Sequence, residues 1–225
     1  MPIRRSYSFM QSVTLYIIIL NVLIWLAQII TYPVIDDLFS LDPKMAASGH
    51  VYQFVTYMFL HATLVETSAG VTIYPGHIMM NMFVLAIFGY QLEQALGRRK
   101  FMFLYLVSGV GSAAFYMFVM PLFTESAAVS LIGASGAIFG VLAAYAFKYP
   151  KSWVYILGLI PLPAAFMVVF LLIEETFLGV MSLQPGVANF GHVGGIITGL
   201  LIMTFWKLMN REKKFGEHGF EYVWE

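Results

Sequence analysis

The chain has 225 residues, 60% of them hydrophobic and 11% charged, with no net charge and no cysteine. A soluble protein of that balance would be covered in apolar surface, so the bilayer is the expected solvent. Zero net charge supplies no basic field for nucleic acid, and the lack of cysteine removes disulfides and thiolate metal sites.

Six apolar runs approach the roughly 20 residues that a helix needs to cross about 30 Å of hydrocarbon. In chain order they read as 12–31, 77–96, 101–122, 127–147, 163–180 and 187–208, with a short tail over 209–225. The first is too long for a cleaved leader, and no small-residue cleavage site follows at the right distance. Between the first and second lies a connection of about 45 residues, rich in aromatics and carrying His50, His61 and the start of a histidine-led helix at His77. A loop of that length in a compact protein is usually functional or disordered, and its apolar content predicts a folded element lying on the bilayer. Pro161 and Pro163 break the stretch that begins at Trp153, so the fifth helix starts at the prolines, where a missing N–H costs nothing, and 153–160 reads as an interfacial loop. No repeat divides the chain, which reads as one all-α membrane domain over 1–225. Every Lys and Arg except Lys44 falls on one side of this topology, which predicts cytoplasmic termini and a long first loop on the outer side.

The fourth and sixth runs carry the chemistry. In "GASGAIFG" Ser135 lies about seven residues, roughly 10 Å, below an outer boundary near residue 128; in "NFGHVGGIITG" His192 lies at roughly 8 Å. Gly133, Gly136 and Gly140 on one run and Gly191, Gly194, Gly195 and Gly199 on the other allow close helix approach, Gly195 to Gly199 being a GxxxG spacing. A serine and a histidine at one depth on closely packed helices form a nucleophile and general-base pair. A serine in such a helix also bonds back to its own turn in many membrane proteins, but a histidine inside the hydrocarbon defaults to function. In "HIMMN" His77 and Asn81 share a helical face; they serve either as donors to an oxyanion or as an interface cap and interhelical glue.

These motifs, with "FGYQLEQALGRRKF" at the end of the second run, together resemble the rhomboid family of intramembrane serine proteases along nearly all six helices. The resemblance implies a compact six-helix bundle, a Ser135–His192 dyad, and an oxyanion hole made by His77, Asn81 and the Ser135 backbone N–H. It also implies no metal or cofactor, a water-filled cavity open to the outside, and single-span or multi-span membrane proteins as substrates. Gly133 and Gly136 flank the serine, Gly195 and Gly199 follow the histidine, and Phe139 stands where the family often has Tyr, able to pack on His192. Tyr52-Gln53 replace the family's Trp-Arg pair, and about a dozen extra residues separate His61 from His77. The six-helix form fits a bacterial inner membrane, while the oligomeric state is not legible.

Other protease classes lack their residues: Asp36, Asp37 and Asp42 all lie in the outer loop, and no His is followed by Glu as HExxH requires. Glu174 and Glu175 in the fifth run keep a proton-coupled transporter open as an alternative, beside a noncatalytic binder of membrane segments. The two acids otherwise belong to the outer half of that helix, near a gate or the interface.

Overall fold

A computed structural model gives the fold and describes residues 7–67, 70–122, 130–156, 160–181, 183 and 188–217. Helix α1 (Val13–Thr31) begins where the Ser12 hydroxyl accepts the Leu15 N–H at 3.0 Å, satisfying one of the donors a helix start leaves open. The others meet a buried carboxylate: Glu93 accepts from Val13 N at 2.9 Å, Thr14 N at 2.8 Å and Thr14 Oγ1 at 2.7 Å. Glu93 belongs to α6 (Tyr90–Leu96), which continues α5 (Gly76–Val84) through a π-helical turn at Leu85–Gly89. The expected second run is thus one helical course, closed by Gly97 at φ 82°, a left-handed value that favours glycine.

Helices α7 (Arg98–Phe118), α8 (Ser135–Lys148) and α10 (Asn189–Glu217) form the core. A Cβ at Gly195 would strike the carbonyl of Gly136, and one at Gly199 the carbonyl of Gly140. The α8 and α10 backbones therefore touch, as small-residue membrane packing allows. Helix α9 (Ala164–Val180) lies against both. Among the described residues, three helical stretches are long and apolar enough to cross a bilayer: Val13–Thr31, Arg98–Leu122 and Asn189–Asn210.

Three expectations are corrected. The fourth helix starts at Ser135 rather than near 127, because residues 130–134 are not helical. Leu131 pairs with Leu41 of the long loop through bonds of 2.9 and 3.0 Å, and Gly133 takes φ 120°, which a continuing right-handed helix forbids. The remainder of that expected start, 127–129, lies outside the described residues. The segment 153–160 is not simply a loop, since β3 (Trp153–Ile156) and β4 (Ile160–Pro163) pair antiparallel and Pro163 caps α9. The sixth helix starts at Asn189 and runs on to Glu217, so residues 209–217 of the expected tail are helical; residue 187 and the end of the tail, 218–225, lie outside the described residues.

The long loop is folded. It contains α2 (Val34–Phe39), α3 (Pro43–Ala47), α4 (Gln53–Thr56) and an antiparallel pair, β1 (Leu64–Thr67) with β2 (Gly70–Ile73), which takes up the extra residues before His77. Gln53 is wholly buried, donating to Leu38 O at 3.2 Å and accepting from Asp42 N at 3.2 Å, while Tyr52 Oη donates to the same Leu38 carbonyl at 3.1 Å. Tyr52 and Gln53 thus both hold the loop at Leu38.

Candidate active site

The left-handed turn at Gly133 is the local cause of the site. It brings the chain into α8 with Ser135 as the first helical residue, where the helix leaves the backbone N–H without an internal acceptor. His192 sits in the first turn of α10, and its Nε2 lies 2.8 Å from Ser135 Oγ. The expected juxtaposition is present, although both residues stand at helix starts rather than at a depth counted along two full spans. Phe139, one turn below the serine, stacks on the His192 ring at 4.3 Å between centroids and 13° between planes. Gly136, Gly195 and Gly199 lie along the seam that lets α8 and α10 meet.

On the facing side, His77 Nδ1 accepts the Ala62 N–H at 3.3 Å. A neutral ring that accepts at Nδ1 carries its proton on Nε2. That Nε2 borders the space beside Gly133: a Cβ placed there would lie 3.0 Å from His77 Nε2 and 3.7 Å from Ser135 Oγ. The missing side chain at Gly133 thus leaves room between a donor and a hydroxyl. Asn81, one turn on, gives one amide hydrogen to the His77 carbonyl at 2.9 Å, and its amide has a second.

The His61 ring meets His77, not the serine, edge-on at 5.1 Å between centroids. Its backbone is held by Gln28, whose Oε1 accepts His61 N at 3.0 Å and whose Nε2 donates to His61 O at 3.1 Å. Among the described residues, His50 bonds locally, its ring meeting the Met45 carbonyl and Ser48. Of the acidic pair, Glu174 is partly exposed, whereas Glu175 turns inward with its Oε2 3.0 Å from His192 Nδ1. Sequence reasoning missed this contact and the roles of Asn189 and Ala62. The available signal was an acidic residue within an apolar run.

A family described as the Rhomboid domain matches residues 48–208. RHOMBOID-like protein 6, mitochondrial, of Arabidopsis thaliana is 30% identical over 169 residues, covering 75% of this chain and 48% of that protein. RHOMBOID-like protein 4 of the same plant is 33% identical over 165 residues, covering 72% and 36%. Rhomboid protease AarA of Providencia stuartii is 27% identical over 217 residues, covering 85% and 71%. The chain therefore spans less than half the length of these two plant relatives.

Proposed function

Because the chain belongs to the rhomboid family, and is an integral membrane protein with helices able to span, we propose that it is an intramembrane serine endopeptidase acting on membrane-protein segments. The observation that carries this reading is the 2.8 Å approach of His192 Nε2 to Ser135 Oγ, with a second histidine edge bordering the same space beside Gly133. The name of the Providencia stuartii relative, a protease, supports it.

In this reading His192 Nε2 takes the Ser135 proton as Oγ attacks a substrate carbonyl. The tetrahedral oxyanion forms beside Gly133, where His77 Nε2–H, an Asn81 amide hydrogen and the Ser135 backbone N–H are its donors. His192 returns the proton to the leaving amine, and water then releases the acyl group by the reverse sequence. A helix hides its carbonyls in its own hydrogen bonds, so the substrate must unwind first, which Gly or Pro near the cut makes easier. Six crossings, with the termini cytoplasmic and the site facing the outer side of a bacterial inner membrane, complete the proposal. Glu174 and Glu175 motivate the transporter alternative, but Glu175 is engaged by His192 and Asn189.

The test is direct. Detergent-purified chain, incubated with a panel of single-span proteins, should cut within or near a span, with the site mapped by mass spectrometry. Ser135→Ala and His192→Ala should abolish that cut while remaining folded, and a fluorophosphonate should label the parent but not Ser135→Ala. Normal turnover in either variant would sink the assignment.

A further inference from the structure

The protease reading uses one nitrogen of His192 and leaves the other unexplained. That other atom, Nδ1, is buried and makes no aligned hydrogen bond, yet it lies 3.0 Å from Glu175 Oε2. Resting on the protease reading, we propose that Glu175 is a positioning residue for His192, so that the chain works with Ser135, His192 and a carboxylate in line rather than with serine and histidine alone.

The helices place the carboxylate there for reasons visible in their side chains. Glu175 and Gly179 are four residues apart and share a face of α9. That face meets the start of α10, for a Cβ at Gly179 would come within 2.9 Å of Phe190 Cε2 and 3.2 Å of Asn189 Cβ. Glycine there lets α9 draw close enough for Glu175 to reach past Asn189 to His192. Asn189 Nδ2 donates to Glu175 Oε2 at 2.7 Å, fixing the oxygen that faces the imidazole. A carboxylate only 8% exposed among apolar helices is costly unless paired, and its described partners are these two side chains.

The chemistry follows from the tautomer. For Nε2 to accept the Ser135 proton, the neutral ring must carry its own proton on Nδ1. A carboxylate beside Nδ1 selects that form, and it stabilises the cation that exists once Nε2 has taken the proton. The short distance with an off-line N–H leaves a small turn of the ring to complete the bond. Phe139, parallel to the imidazole, permits a turn within that plane.

The experiment uses the whole 225-residue chain in detergent, with a fluorophosphonate and a single-span reporter that the parent cuts. Glu175→Gln should lower kcat and the fluorophosphonate labelling rate together, by about 10- to 1000-fold, with KM nearly unchanged; the upper part of that range approaches the loss seen when a triad carboxylate is neutralised elsewhere. Glu175→Asp should recover part of both rates. In histidine-labelled parent, NMR should show a downfield Nδ1 proton that Glu175→Gln removes and Ser135→Ala retains. Should Glu175→Gln fail to fold, the Glu175→Asp rates and the parent resonance decide. Parent rates in Glu175→Gln, or no downfield proton in an active parent, would overturn the inference and leave the protease reading intact. A parent that neither cuts nor labels would overturn both.

Discussion

His61 and His77 meet edge-on, but their surroundings assign them different work. His77 has its Nδ1 occupied by the Ala62 N–H, which leaves Nε2–H aimed at the space beside Gly133. His61 is wholly buried and contributes mainly volume and two backbone bonds. His77→Ala and Asn81→Ala should therefore lower kcat, each by about 100- to 1000-fold as for loss of an oxyanion donor, with melting temperatures close to the parent. His61→Ala should do the reverse, because it empties a packed site while keeping the backbone that Gln28 holds. Rate constants and thermal midpoints on the same preparations check this. If His61→Ala were inactive but thermally normal while His77→Ala turned over, the two roles would have to be exchanged.

Among the elements, the long loop reaches the site through a chain of contacts that begins on α1. Gln28, wholly buried on that helix, bonds Asp36 Oδ1 at 2.8 Å and both backbone groups of His61. Trp25 Nε1 donates to Ala62 O at 3.1 Å, and the Ala62 N–H then sets the His77 tautomer. Gln28→Leu should accordingly lower both the melting temperature and kcat, since it strands buried polar groups that cost about 1–3 kcal/mol each. Thr31→Ala, which removes an exposed bond to Ala27 O, should change neither. Equal kcat in the two variants would show that the loop does not orient His77.

The same elements show what the sequence could and could not reveal. Continuous apolar runs made α1, α7 and α10 visible, and the glycine spacing made the α8–α10 approach visible. The start of α8 was hidden because a pairing of Leu131 with distant Leu41 holds the stretch before Ser135 out of the helix. Glu175 was visible as an acid in an apolar helix, but which neighbour its face meets depends on how α9 packs on α10. The hairpins were hidden by their apolar composition, which reads equally well as helix or interface.

Across the whole molecule, apolar side chains such as Phe83, Phe166, Phe170, Ile173 and Phe177 face outward, whereas several titratable groups, His61, His77 and Asp36 among them, are wholly or partly buried. His61 is the clearest of these outside the spans: burial first, then repulsion from His77, hold its pKa down at about 3. The unfolded chain takes up that proton as pH falls through about 6.5, whereas the folded chain refuses it until about 3. The unfolded state therefore binds more protons across that window, and stability is lost as pH falls, by up to about 1.4 kcal/mol per pH unit. Asp36 acts in the opposite sense, because burial raises its pKa in the folded chain above 3.8. A comparison with His61→Leu isolates the histidine from such carboxylates. Between about pH 7 and pH 5 in one detergent, the parent should lose thermal midpoint more steeply than His61→Leu, whose curve should be flatter whatever its absolute stability. Parallel curves would mean that His61 keeps an ordinary affinity for protons and that the loop is not closed around it.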